Sequence, residues 1–96
     1  MVNLIAIIKL KPGKEALFAQ KMVEYSRFVQ VNDCGCIQYA PHIDVKNPSN
    51  VVLFEKWADQ ASLDAHLNSP QMKEARKMFA ECTEGPAQLQ FLKEMK

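Results

Sequence analysis

The sequence predicts a single α+β domain whose elements follow one another as strand, helix, strand, strand, helix, strand. Residues 2–10 and 51–57 are rich in β-branched and aliphatic side chains at both odd and even positions, which is typical of strands in the middle of a sheet. Residues 14–31 and 60–82 carry apolar side chains at helical spacing. With 96 residues, 48% of them hydrophobic, the chain has room for one such domain.

The first strand, over 2–10, is followed by a Pro-Gly pair, a combination that favours a turn. The helix predicted over 14–31 then places its apolar side chains on one stripe, which consists of Phe18, Met22, Tyr25 and Val29. Asn32 and Asp33 end this helix. The stripe predicts the side of the helix that packs on the sheet.

The second and third strands form a predicted hairpin. The segment 36–44 has extended character but contains Pro41, which lacks a backbone N–H and therefore confines the segment to a sheet edge or a bulge. Residues 45–50 have the composition of a turn, and 51–57 pairs back on the preceding strand. We therefore expect the second strand at an edge of the sheet.

Two helix start signals follow the hairpin. Asp59 is placed to cap a short helix over 60–67, and Ser69 with Pro70 marks a second start, with serine at the N-cap and proline at the first helical position. The apolar stripe of this third helical segment consists of Met72, Ala75, Phe79 and Cys82. A Gly-Pro pair stops the segment, and apolar residues that alternate with two glutamines over 87–91 predict the last strand.

This order of elements is that of the ferredoxin-like arrangement, β-α-β-β-α-β, in which helices cover one face of a four-stranded antiparallel sheet. Its usual strand order, 4-1-3-2, places the strand with Pro41 at an edge and the two apolar strands in the centre. Helices on one side leave the other sheet face uncovered, yet the first strand carries apolar side chains on both faces: Leu4, Ala6 and Ile8 on one, Ile5 and Ile7 on the other. We therefore expect a homodimer whose sheets face each other around a pocket.

Composition excludes several classes of protein. Twelve basic and eleven acidic side chains give a net charge of +1 without a dense basic patch, which argues against nucleic-acid binding. The longest apolar run, Leu4 to Ile8, is far too short to cross a bilayer, and no basic segment precedes it as in a secretory signal. Three cysteines, an odd number, argue against a disulfide scaffold. We expect a cytoplasmic protein with a small ligand and no membrane partner.

Two motifs resemble those of a known family. Glu55-Lys56-Trp57, followed by the run from Ser62 to Pro70, resembles the E-x-W…L-x-x-H…[ST]-P signature of the antibiotic biosynthesis monooxygenase family, a family of small dimeric α+β barrels. The segment from Gly35 to Asp44 is similar to the second strand of its bacterial quinol monooxygenase branch. The resemblance covers the whole chain, but it does not specify a substrate because the scaffold hosts several activities.

The resemblance implies a dimer in which the last strand reaches toward the partner, and a pocket between the third strand and the second helical region. It also implies oxygenation of a small aromatic substrate by O2 without flavin, haem or metal. The three glycines of the chain form no dinucleotide or phosphate-binding loop. Haem-degrading relatives have a histidine near the position of Arg76 and an asparagine near that of Ala6, so haem degradation is not expected.

His66 and Glu55 are the candidate catalytic residues. His66 occupies the position of the family's histidine, and a neutral imidazole can accept a proton from a hydroxyl group near pH 7. Glu55 lies in an otherwise apolar strand and needs a partner if it is buried. The alternative is structural: a hydrogen bond between His66 and Glu55 would brace helix against strand.

Five further side chains are expected to bind substrate. Trp57 shares a sheet face with Glu55 and is able to stack on an aromatic ring. Tyr39 and His42 lie at opposite parity on the second strand, so we expect Tyr39 to face the pocket and His42 to lie on the surface. The remaining three come from the third helical segment and form either the core or the pocket wall; they are Met72, Arg76 and Phe79.

Cys34-Gly35-Cys36 is too tightly spaced for the usual metal or redox pair, and His42, His66 and Asp44 have no ligand spacing, so we expect free thiols and no metal.

Three functions remain open from the sequence. The first is a cofactor-independent monooxygenase that acts on a quinol or a similar electron-rich aromatic compound. The second is a non-oxidative isomerase of a small phosphorylated metabolite, with Arg76 as the cation for the phosphate. The third is a stress-response module that binds a small aromatic molecule without turning it over.

Overall fold

The computed structural model describes residues 1–96 and contains four strands and three helices. The strands are β1 (Val2–Lys9), β2 (Cys36–Ile43), β3 (Asn50–Trp57) and β4 (Gln88–Leu92). The helices are α1 (Glu15–Asn32), α2 (Gln60–Leu67) and α3 (Pro70–Ala80). The sheet has the order β2-β3-β1-β4 with antiparallel pairs throughout. The predicted ferredoxin-like α+β fold is confirmed.

The apolar strand β1 lies in the centre of the sheet because it pairs with β3 on one side and β4 on the other. Its even-numbered side chains Leu4, Ala6 and Ile8 are buried beneath the helices. Ile5 and Ile7 point to the opposite face, where one chain alone leaves them half-buried. The strand thus has apolar side chains on both faces, but only the helix-covered face is fully buried.

The hydrophobic core lies between the sheet and α1. All four residues of the predicted stripe are buried; they are Phe18, Met22, Tyr25 and Val29. On α3 only Ala75 is fully buried, while Met72 and Phe79 are partly buried, and Cys82 lies beyond the helix end at full burial. The core is therefore dense beneath α1 and open beneath α3. None of the three helices has the length and apolarity that a membrane-spanning helix requires.

Strand β2 lies at the sheet edge, as the proline predicts. Pro41 pairs in regular register with Leu53, and the bulge falls instead at Ile37, between Cys36 and Gln38. Since no bulge occurs between Tyr39 and His42, these residues keep opposite orientations. Tyr39 is buried beneath the helices, and the His42 ring packs against exposed Phe54 on the outer face.

Both predicted helix starts are confirmed. The Asp59 carboxylate accepts a hydrogen bond from the Ser62 backbone N–H at 2.8 Å, and the Ser69 hydroxyl accepts one from the Met72 N–H at 3.1 Å. Such side-chain caps satisfy backbone donors that have no partner inside the helix. The caps fix where α2 and α3 begin, and from there Leu63 and His66 on α2 and Ala75 on α3 are the side chains that become buried.

The turn between α1 and β2 packs against the start of α2. Gly35 has a φ of +81°, and a Cβ atom added there would clash with the hydroxyl oxygen and Cβ atom of Ser62. The Gly35 carbonyl accepts a hydrogen bond from the Ala58 N–H at 2.8 Å. The close approach requires glycine both for its backbone conformation and for its lack of a side chain.

This packing predicts that Gly35→Ala destabilises the fold more than Gly13→Ala. Gly13 has a similar φ of +84°, but a Cβ atom added there would meet no other atom within 4 Å, so Gly13→Ala measures the backbone cost alone. We expect Gly13→Ala to cost about 1–2 kcal/mol and Gly35→Ala an additional ~1–3 kcal/mol from overpacking. Urea denaturation of both variants measures the difference. Equal losses would show that the turn does not need the close contact.

Candidate functional site

A cavity of about 600 Å³ lies between the inner face of the sheet and the helices. It forms because α2 is short and α3 covers β1 and β4 incompletely. Most of its walls are apolar side chains, which come from β1, α1, β3 and α3 and include Leu4, Ala6, Phe18, Met22, Leu53, Met72 and Phe79. The cavity lies on the helix-covered face of one chain, near β3 and α2 as the resemblance implied, and not between the sheets of two facing copies.

Three buried polar side chains from different elements line this apolar cavity. They are Tyr39 on β2, Glu55 on β3 and His66 on α2, with 3%, 6% and 2% of their surface exposed. Tyr39 and Glu55 are cross-strand partners, which places their side chains on the same sheet face. Burial raises the pKa of Tyr39 well above its usual value, so its hydroxyl stays protonated near pH 7.

Glu55 and Trp57 form a buried pair along β3. The two residues share a sheet face, and the Trp57 indole Nε1–H donates a hydrogen bond to Glu55 Oε1 at 3.0 Å. Burial raises the pKa of the Glu55 carboxyl to about 7, although the bond from Trp57 acts in the opposite direction. The group therefore exchanges a proton near neutral pH, as a general acid or base requires.

His66 is held between two aromatic rings and a carboxylate. Its ring centroid lies 4.6 Å from that of Trp57, tilted by 32°, and 5.4 Å from that of Tyr39 at 65°. Its Nδ1 atom is hydrogen-bonded to Asp33 Oδ2 at a distance of 2.5 Å. Burial lowers the pKa of His66 and outweighs the opposite effect of Asp33, so the imidazole is neutral at pH 7. The contact is thus a hydrogen bond to a neutral ring.

The structural alternative named Glu55 as the hydrogen-bond partner of His66, and this prediction is wrong. No hydrogen bond joins His66 to Glu55, because each has another partner, Asp33 and Trp57 respectively.

Trp57 is not placed as a platform on which a substrate ring could stack. Its side chain is fully buried and does not line the cavity, since its ring packs against His66. Trp57 thus contacts Glu55 and His66 without lining the cavity itself.

The third helical segment contributes to the cavity wall. Met72, Arg76 and Phe79 all line the cavity, together with Tyr39 as expected. The Arg76 guanidinium donates a hydrogen bond from Nη2 to the Leu67 carbonyl at 3.0 Å. Met72 is held from the core side, where its sulfur accepts a hydrogen bond from the Tyr25 hydroxyl at 3.2 Å.

The other polar residues singled out in the sequence lie apart from the cavity. His42 is on the outer sheet face, where its Nδ1 atom lies 2.9 Å from the Ala40 carbonyl oxygen. Cys34, Cys36 and Cys82 are free, as expected of the C-x-C pair. No cluster of three or more His, Cys, Asp or Glu side chains is arranged to hold a metal ion.

Asp33 is the site residue that the sequence did not reveal. The pattern assigns it only to the end of α1, and nothing in its spacing connects it to a histidine 33 positions away. One signal was present. A carboxylate at a helix C-terminus is unfavourable next to the negative end of the helix dipole, and α1 has no basic residue in its last turn to offset it. An acid in such a place indicates a contact elsewhere.

The sequence family described as antibiotic biosynthesis monooxygenase matches residues 1–78, which include the buried polar residues of the cavity, Tyr39, Glu55 and His66. The chain belongs to this family. The probable quinol monooxygenase YgiN of Escherichia coli is 31% identical over 83 residues, which cover 76% of this chain and 79% of that protein. The resemblance stated from the motifs is therefore confirmed, and the family's name and that of this relative favour a monooxygenase.

Two further comparisons concern length and fold. The Synechocystis protein sll1783 is 30% identical over 89 residues, which cover 90% of this chain but 58% of that relative. The chain therefore spans little more than half of that relative's length. The crystal structure of a conserved protein from Methanosarcina mazei Go1 superposes with a TM-score of 0.85 at 24% identity and covers 98% of this chain and 92% of that one. This family member thus shares its fold with a protein of low sequence identity.

The buried carboxyl of Glu55 predicts a pH-dependent stability difference. The folded protein keeps the Glu55 proton up to a pH of about 7, whereas the unfolded chain releases it near its ordinary pKa of 4.5. Stability therefore falls as the pH rises between these values, and Glu55→Gln removes that loss. We expect the variant to gain roughly 2–3 kcal/mol relative to the wild type between pH 5 and pH 8.

Urea denaturation at each pH measures this difference, and the opposite contribution of His66 cancels because both proteins carry it. Glu24→Gln, on the exposed face of α1, is the matched control and should show no such trend. A stability difference between Glu55→Gln and wild type that does not change with pH would contradict the raised pKa.

Proposed function

We propose that the protein is a cofactor-independent monooxygenase that oxidises a quinol, or a similar electron-rich aromatic compound, with O2. The observation that carries the proposal is the pairing of two proton acceptors, Glu55 and His66, within one apolar cavity. A quinol becomes a strong one-electron donor once a hydroxyl proton is removed. Proton acceptors in a cavity that excludes water are what the protein must supply.

The cavity supports a flat aromatic substrate. Its volume of about 600 Å³ lies within the range of small-molecule sites, and its apolar walls match an aromatic ring. The polar groups are few, which is typical of sites that orient a substrate by its hydroxyl groups. The same mostly apolar walls favour an aromatic ring over a phosphorylated sugar, whose phosphate and hydroxyl groups need many polar partners.

The reaction needs no external reductant. A quinol and O2 give a hydroxylated quinone and water: four electrons leave the quinol, one oxygen atom forms a new C–O bond, and the other is reduced to water. His66 removes the first hydroxyl proton through Nε2, which has no hydrogen-bond partner in the protein. The resulting quinolate passes one electron to O2, and the two radicals combine at carbon before water leaves.

Glu55 and Tyr39 assist at the oxygen atoms of the substrate. Glu55, with its pKa of about 7, takes the second hydroxyl proton and returns it to the departing oxygen as water forms. Tyr39 keeps its proton and donates a hydrogen bond to the quinolate oxygen as negative charge develops there. The guanidinium of Arg76 contributes positive charge at the wall.

A homodimer is part of the proposal. The outer sheet face carries the half-buried Ile5 and Ile7, and Phe54 and Leu92 are 42% and 47% exposed there. On the same face Asn3 Oδ1 is buried without a hydrogen-bond partner. A second copy packed on this face by twofold symmetry would cover the apolar side chains and is able to supply a donor to Asn3.

The dimer predicts that Phe54→Glu yields monomers, because a charge would be buried in an apolar interface. Light scattering at micromolar concentration should give twice the chain mass of 10.9 kDa for the wild type and the chain mass for this variant. Val31→Glu introduces the same charge at an exposed residue of α1 and should remain dimeric. A wild-type protein with the mass of one chain would contradict the dimer.

The enzyme proposal predicts saturable oxygen uptake by metal-stripped protein supplied with freshly reduced quinols, above protein-free autoxidation. His66→Ala should lower kcat by roughly 10²–10⁴-fold through loss of the base. In the wild type, kcat/KM should rise with pH as the Glu55 carboxyl loses its proton around its pKa of about 7, and Glu55→Gln should abolish this rise. Asp44→Ala, which changes an exposed side chain in the turn between β2 and β3 away from the cavity, is the control.

Uptake that does not differ between wild type and His66→Ala would overturn the assignment of the base. Saturable quinol binding without any uptake would overturn the enzyme and favour a binding module.

A further inference from the structure

We propose that Asp33 is a positioning residue that holds His66 in the tautomer with the proton on Nδ1, so that the Nε2 lone pair is free to accept a proton in the cavity. The catalytic part of this inference rests on the proposed function, but the tautomer itself is a property of the protein without substrate. Asp33 lies outside the sequence motifs that identify the family.

The hydrogen-bond geometry carries the assignment. Asp33 Oδ2 lies 2.5 Å from His66 Nδ1, and 13% of the Asp33 side chain and 1% of the His66 side chain are exposed. A carboxylate only accepts hydrogen bonds, and a neutral imidazole has one N–H. The proton must therefore sit on Nδ1, which leaves Nε2 as the acceptor.

The backbone holds Asp33 in place from both sides. Its N–H donates to the Val29 carbonyl at 2.9 Å, and its carbonyl accepts from the Cys36 N–H at 3.2 Å. Two residues on, Gly35 packs against Ser62 at the start of the helix that carries His66. The carboxylate therefore reaches His66 from a turn that is fixed to α2.

No other group near His66 competes for Nδ1. Tyr39 and Trp57 contact the imidazole through their rings, and the Trp57 N–H is used by Glu55. The charge of Arg76 lowers the pKa of His66, whereas that of Asp33 raises it. Arg76 itself donates to a backbone carbonyl. Asp33 is thus the group that selects the tautomer.

The test is nitrogen-15 NMR of the two histidine side chains in substrate-free protein. Long-range proton–nitrogen spectra distinguish the two neutral tautomers and the charged ring. In the wild type we expect His66 with its proton on Nδ1. Asp33→Ala should move the proton largely to Nε2, and Asp33→Asn should retain Nδ1–H in part, because its amide oxygen still accepts. The signals of His42 should not change and serve as the internal control.

Enzyme kinetics supply the second readout. Asp33→Ala should lower kcat at least about 10-fold with little change in KM. The imidazole of His66 loses its orientation in this variant, whereas the cavity that binds the substrate is unchanged. Asp33→Asn should recover part of the loss. Asp44→Ala, in the exposed turn between β2 and β3, removes a carboxylate without touching the cavity and should match the wild type.

A wild-type His66 with its proton on Nε2, or a tautomer that is unchanged in Asp33→Ala, would overturn the proposal. If the NMR result is as expected but the wild type consumes no oxygen with any quinol, the proposed function fails while the positioning role of Asp33 stands.

Discussion

The hydrogen bond between Asp33 and His66 connects the two parts of the fold that build the polar end of the cavity. Asp33 ends α1, and His66 lies in the last turn of α2, so the bond fixes the turn between α1 and β2 against the helix that closes the sheet. The contact of Gly35 with Ser62 reinforces the same junction. If the junction opened, His66 would lose its hydrogen-bond partner, and the cavity would lose one of its walls.

Burial acts on the pKa values of the two acid–base groups in opposite directions and favours the uncharged form of each. It raises the pKa of Glu55 to about 7 and lowers that of His66, because a low-dielectric cavity disfavours charge of either sign. Each group keeps one stabilising partner, Trp57 for Glu55 and Asp33 for His66. The apolar core that stabilises the fold therefore also prepares its proton acceptors.

Much of the fold was predictable because local rules and the tertiary structure agree. The caps at Asp59 and Ser69 depend on neighbouring residues, and the edge position of β2 follows from the missing N–H of Pro41. The site was predictable only in part. Parity placed Tyr39 on the cavity face, but the partner choices of Glu55 and His66 depend on distances between segments far apart in the chain, which spacing does not encode. The position of Asp33 is the clearest case.

We propose that the protein inserts oxygen into its substrate without a bound cofactor. Turnover of a reduced quinol by metal-stripped protein under oxygen-18 gas tests it most directly, with mass spectrometry of the product. We expect a hydroxylated quinone that carries one oxygen-18 atom, with the second atom found in water. A quinone that contains no oxygen-18, formed together with labelled hydrogen peroxide, would contradict it.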